Sequence, residues 1–209
     1  MDPIIDIVRV AQGRNHLEGH DIPDPGLTPE GKEQCATLRE TYPYMSQVKL
    51  IVSSPLRRAI DTAKAFLPDD SPRVPQTQIV LLPGLQATSL RPSDTGSPES
   101  ALQWEFGTAI DTSRLEGEDW YVKDRPESLE TIGQRARRVR LFLRRCARKL
   151  KDGDRIVVVT HGAFAHFLVQ DFGGPYIGQE SGVWSNAEFR SFEFDAPQEL
   201  NLGIPLREI

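Results

Sequence analysis

The chain has 209 residues, with 25 Lys and Arg against 30 Asp and Glu, a formal net charge of −5 and 38% hydrophobic residues. That size and composition fit one globular domain over residues 1–209 and exclude collagen-like, fibrous and wholly disordered classes. The acidic balance argues against a nucleic-acid-binding surface spread over the whole chain.

No apolar run approaches the ~20 residues that a membrane helix needs. The start, Met1 to Val10, lacks a basic stretch followed by an apolar one, so no secretory signal is expected. Cys35 and Cys146 fall in helical patterns and read as small buried hydrophobes in a reducing compartment; the expected location is cytoplasmic.

In chain order, Ile4 to Val8 reads as a first strand. Thr28–Pro29 reads as an N-cap with proline at the first helical position, opening a helix that runs to about Tyr42. Val48 to Val52 is a second strand, and Pro55 opens a helix ending near Phe66. Gln78 to Leu82 is a third strand. The stretch 83–125 is rich in glycine, proline and aromatics with little periodicity, and reads as an irregular lid. Glu127 to Lys151 is a long helix stopped by Gly153. Arg155 to Thr160 gives the cleanest buried-strand signal, and Gly162 to Gln170 continues as a helix. Phe189 to Phe194 alternates as a last strand, expected at an edge. The strand–helix alternation predicts an α/β fold: a three-layer α/β/α sandwich with a mainly parallel sheet and helices on both faces.

The long helix carries nine basic residues, from Arg135 to Lys151. They interleave with the apolar stripe Ile132, Val139, Leu143 and Leu150, and no stacking aromatics accompany them. A solvated helix face is the expectation, with no nucleic-acid partner and no membrane partner.

Three segments leave strands for loops or helices: Arg9 to His16, Ser53 to Ala59, and Thr160–His161–Gly162. Parallel strands place these exits on one edge of the sheet. Guanidiniums, a histidine and helix N-terminal amides would converge there, which makes an anion site. No two His or Cys have metal-site spacing, so no metal and no cofactor are expected.

At these residues the chain resembles the histidine phosphatase superfamily, with its phosphoglycerate-mutase-like fold, and within it the fungal and plant branch. The matching stretches are Arg9–Gly13, Asp24–Gln34, Ser53–Ala63, Leu82–Gln86, Asp94–Ser97, Val157–Gly162 and Trp184–Arg190. Together they span residue 4 to about 195, in order. The resemblance implies a strand-one Arg-His pair whose His attacks phosphorus. It also implies a second His and two Arg that hold the phosphoryl oxygens, and an acid on the loop after strand three. Arg9, Arg58 and His161 match the binding half. Val10 stands where the nucleophile belongs, and Ala87 where the acid belongs. Valine has no lone pair for phosphorus, and alanine has no proton to give a leaving group.

The expectation is therefore a repurposed enzyme without phosphohistidine chemistry. Its catalytic candidates are His161, Arg9 and Arg58. Its substrate-binding candidates are Arg9, Val10, Asn15, His16, Arg58, Ala87, His161 and Gly162. The ligand would be a small, largely apolar organic anion, carboxylate or phosphate, of the terpenoid or polyketide kind. The reaction would be an isomerisation, elimination or cyclisation, cycloaddition included, in secondary metabolism. Trp104, Phe106, Trp120 and Tyr121 of the lid would supply apolar walls, and flanking guanidiniums would keep His161 neutral. Two other readings stay open: a pseudophosphatase that binds without turnover, and a residual phosphatase using His16 or water. His20 reads as solvated at the pocket mouth and His166 as core or surface. A monomer and a homodimer both fit.

Overall fold

A computed structural model describes residues 3–67, 77–170, 184–194 and 206–209. Its strands are β1 (Ile4–Arg9), β2 (Val48–Ser53), β3 (Ile79–Leu81), β4 (Ile110–Asp111), β5 (Arg155–Thr160), β6 (Phe189–Phe194) and β7 (Leu206–Glu208). They form one sheet in the order β4-β3-β2-β5-β1-β6-β7. Pairing is parallel from β4 through β1, and antiparallel for β1 with β6 and β6 with β7. β5 sits at the centre because it is the most uniformly apolar strand: all six of its residues are buried, as a strand covered on both faces requires.

The helices are α1 (Asn15–Glu18), α2 (Pro29–Thr41), α3 (Arg57–Ala63), α4 (Glu99–Phe106), α5 (Leu129–Ala147) and α6 (Gly162–Val169). Successive side chains of a strand point to opposite faces, so β5 feeds two cores. Val157 and Val159 join Leu38 of α2 and Ala59 and Ile60 of α3. Ile156 and Val158 join Ile132, Val139 and Leu143 of α5 and Phe164 and Leu168 of α6. This is the three-layer α/β arrangement expected from the alternating pattern.

Capping explains the two best-read helices. Thr28 accepts from the Gly31 amide at 2.9 Å, with Pro29 at the first position of α2. Ser128 accepts from the Thr131 amide at 3.1 Å at the start of α5.

Four expectations need correction. β6 is not an edge strand, because β7 pairs along its outer side; three residues are too few to show a period. The stretch 83–125 is not irregular throughout, since it holds α4 and also β4, which forms the far edge of the sheet. The long helix does not present all its basic residues to solvent. Arg135 and Arg140 are buried, donating to the carbonyls of Gly84 and Gln86 and of Phe167 and Leu168 respectively. Finally, Cys35 and Cys146 are half-buried rather than core residues; burial raises both thiol pKa values, Cys35 to about 11.

Candidate active site

The carboxyl ends of β1, β2 and β5 meet at one edge of the sheet, and the chain leaves each of them differently. After β1, Val10 keeps the sheet register: its amide donates to the Thr160 carbonyl at 2.9 Å, and its carbonyl accepts from Asn186 Nδ2 at 3.0 Å. After β2, Ser53 and Ser54 are fully buried, and Pro55 precedes the turn into α3. The capping position of α3 is Leu56, which has no side-chain acceptor. A distant residue supplies one: Asp24, held at φ +41°, takes the Arg57 amide on Oδ1 at 2.9 Å. That places Arg58 in the first turn, facing the sheet edge. After β5, His161 caps α6 and is buried.

Arg58 is the hub. Its guanidinium donates to the Ser93 carbonyl at 2.5 Å, to Asp94 Oδ1 at 2.6 Å and to His161 Nδ1 at 3.2 Å. His161 Nε2 lies 2.9 Å from Ser54 Oγ. Because a guanidinium can only donate, Nδ1 must accept, and the ring proton sits on Nε2 and points to Ser54. Burial first, then the charges of Arg58, Lys123, Arg135 and Arg9, hold the His161 pKa well below its ordinary value. The ring is therefore a neutral Nε2–H tautomer. This excludes a Ser54–His161 nucleophile pair in this arrangement, since Nε2 has no lone pair left to accept the hydroxyl proton.

Arg9 donates to the Trp184 carbonyl and is half-buried. A Cβ on Gly162 would stand 3.2 Å from Arg9 Nε and 3.4 Å from Cδ, so glycine lets the guanidinium lie against the start of α6. A Cβ on Gly13 would meet Asn15 Oδ1 at 2.5 Å and Arg58 Cδ at 2.9 Å. Asn15 is buried at the start of α1, and its Oδ1 has no hydrogen-bond partner among the described residues. His16, one residue on, is exposed. Its pKa is lowered by partial burial and by the charges of Arg9, Arg58 and His20.

Val10 and Ala87 are 6% and 5% exposed and belong to one apolar cluster with Leu56, Ala59 and Val159. The positions that the resemblance assigns to nucleophile and acid are thus both core positions.

Among the sequence candidates, Arg58 and His161 are in direct contact. Arg9 and Gly162 pack together, and Arg9 and Arg58 both act on His16. Val10 and Ala87 share the apolar side. His20 is tied to the same edge, with Nδ1 3.0 Å from Ser93 Oγ. His166 is buried on α6. The lid aromatics divide. Trp104 is 90% exposed and forms no wall. Trp120 is core, its indole donating to the Ser97 carbonyl at 2.9 Å. Tyr121 packs edge-on against Trp120, and Phe106 lies on the outside of the same core.

Sequence reasoning missed Ser54, Ser93, Asp94 and Lys123. Lys123 Nζ donates to the carbonyls of Ala87, Ser89 and Asp94 at 3.0, 3.0 and 3.2 Å, and burial lowers its pKa to about 8. Ser54 and Asp94 lie in stretches that carry the resemblance, Ser53–Ala63 and Asp94–Ser97, but neither was given a site role; for Ser93 and Lys123 the polar and basic character of the lid was the signal. Among the described residues no group of three His, Cys, Asp or Glu can hold a metal ion, and no helix is long and apolar enough to cross a membrane.

The model of the histidine phosphatase superfamily (branch 1) matches residues 7–200. Among solved structures, the chain is similar to the ecdysone phosphate phosphatase of Bombix mori in complex with tungstate. That match has 15% identity, covers 97% of this chain and 93% of that one, and has a TM-score of 0.66. A mutant phosphoserine phosphatase from Entamoeba histolytica, in complex with phosphoserine, matches at 18% identity, covering 92% and 91%, with a TM-score of 0.57. A mycobacterial glucosyl-3-phosphoglycerate phosphatase complexed with VO3 matches at 18% identity, covering 99% and 97%, with a TM-score of 0.57. No curated protein matches by sequence.

Proposed function

The chain belongs to the histidine phosphatase superfamily, and from that premise we propose that it is an enzyme that has kept the family's cationic cluster and given up its phosphohistidine chemistry. One observation carries this reading: Val10 and Ala87 are both buried in the hydrophobic core, while Arg58 and His161 remain in direct contact. An isopropyl group cannot form a phosphoramidate, and a methyl group cannot protonate a leaving oxygen.

The substrate would be a small anion with a largely apolar body, of the terpenoid or polyketide type. Its carboxylate would face Arg9 and Arg58, and its hydrocarbon the Val10 and Ala87 side. A neutral imidazole supplies no cationic charge to a phosphoryl group, and its Nε2–H is engaged by the buried Ser54 hydroxyl. Such a site suits isomerisation, elimination or cyclisation, cycloaddition included. In these, holding a reactive conformer and polarising one oxygen do most of the work.

A binding protein without turnover is the second reading. It is favoured by the internal partners of both guanidiniums, Asp94 and the Ser93 carbonyl for Arg58 and the Trp184 carbonyl for Arg9. A residual phosphatase through His16 is the third, favoured by a neutral imidazole within reach of the fields of Arg9 and Arg58.

Titration with 1-naphthoate and with inorganic phosphate tests the first reading. Naphthoate is expected to bind more tightly than phosphate, and Arg9→Ala to weaken it. Tighter phosphate binding, or naphthoate binding indifferent to Arg9, overturns it.

A further inference from the structure

A cavity lies behind the loop that follows β3, on the α5 side. Its volume is about 340 Å³, within the ~300–1,000 Å³ typical of small-molecule sites. The floor is apolar: Leu82, Val139, Phe142 and Trp120 line it. Arg114 and Arg138 also line it. Both are exposed, and neither has a carboxylate partner among the described residues. Arg114 instead lies 5.5 Å over the Phe142 ring.

The charges at this cavity can be followed one by one. Arg135, also on the lining, is paired with Glu127 at 2.6 Å, so its charge is matched. Glu116 lines the cavity too, so Arg114, Arg138 and Glu116 together carry a formal charge of +1. An apolar pocket with one unmatched positive charge at its rim is left over, on a protein whose formal charge is −5. Three basic residues of α5 are thereby told apart. Arg135 and Arg140 turn inward onto carbonyls, and Arg138 serves the cavity.

We propose that this cavity is a second ligand site, specific for a monoanion with an aromatic or branched apolar body. The hydrocarbon sits on Val139, Phe142 and Trp120, and the anionic group meets Arg114 and Arg138. The inference does not depend on the reading of the Arg9–Arg58 edge. Phenol-sized neutral molecules lack the contact with the guanidiniums, and inorganic phosphate lacks the apolar body; both are excluded from tight binding.

The probe is 8-anilinonaphthalene-1-sulfonate, a monoanion with a fused aromatic body, followed by fluorescence on the folded full chain. It is expected to bind saturably, and the double variant R114E/R138E to weaken that binding at least tenfold. Both residues are exposed, so the variant is expected to fold, which circular dichroism checks. Arg9→Ala, at a half-buried position of the other site, separates the two sites, because it is expected to leave this component in place. Binding unchanged in R114E/R138E, binding lost in Arg9→Ala alone, or no saturable binding overturns the proposal. N-phenyl-1-naphthylamine, the uncharged counterpart, is expected to bind at least tenfold more weakly; equal binding also overturns it.

Discussion

The edge of the sheet where β1, β2 and β5 end has an ionic half and an apolar half, and they are built by opposite rules. In the ionic half, Arg58 is 4% exposed and each of its contacts is specified: a carboxylate, a carbonyl and an imidazole nitrogen. Burying a guanidinium is costly unless its donors are met, so the lid residues Ser93 and Asp94 are needed simply to keep it there. In the apolar half, Val10 and Ala87 need only volume and join a cluster that runs on into the core. The difference teaches that an aliphatic side chain at position 10 or 87 needs only volume, while a buried cation needs every one of its partners. Val10 simply extends the core; removing Arg58 strands Asp94 Oδ1, the Ser93 carbonyl and His161 Nδ1.

The largest effect should come from the ionic half. Arg58→Ala is expected to destabilise the fold by about 3 kcal/mol, the scale for removing one partner of a buried pair, read from urea unfolding. A loss under about 1 kcal/mol would mean that the lid satisfies Asp94 in another way. Val10→His tests the opposite half. Placing a polar ring in a filled core should cost about 1–3 kcal/mol by the same measurement, and a neutral result would show that the site retains room for a nucleophile. Arg9→Ala is expected to weaken 1-naphthoate binding by about 1.5–3 kcal/mol, the range for a charge-assisted hydrogen bond; unchanged affinity would make Arg9 purely structural.

Asp24 gives a pH test. Burial outweighs its contacts with Arg57 and Ser97 and lifts its pKa to about 6 from 3.8. A raised carboxylate pKa means that the folded state holds the proton longer. The contribution is full below pH ~3.8 and lost as pH rises through about 6. Relative to Asp24→Asn, the wild type should therefore lose stability across that window, and parallel pH profiles would contradict the assignment. The smallest effect belongs to the lid surface. Trp104→Ala, at a 90% exposed position, should change stability by less than about 0.5 kcal/mol and leave naphthoate binding unaltered. A larger change would restore Trp104 as a wall of the site.

Much of this was legible in the residues. β1, β2 and β5 are apolar runs long enough to be seen alone, and α2 and α5 carry their caps in the sequence. β4 and β7 were not legible, because strands of two and three residues are fixed by pairing with β3 and β6 rather than by any period of their own. The position of Arg58 could be read from its motif, but not its partners. Asp94 reaches it from 36 positions away, and Lys123 closes the same loop from 29 positions further along. Nothing local in Ser89 to Lys123 encodes that those two segments meet. Likewise Arg135 and Arg140 look like their solvated neighbours on α5, until the carbonyls of other segments are brought to them.

The central claim concerns the covalent intermediate. The protein should be incubated with acetyl phosphate or p-nitrophenyl phosphate, quenched in base and weighed intact. An unmodified mass is predicted, because no imidazole stands at position 10 and His161 is buried with its nitrogens engaged. A gain of one base-stable, acid-labile phosphoryl group, mapped to His16 or His161, would contradict the account.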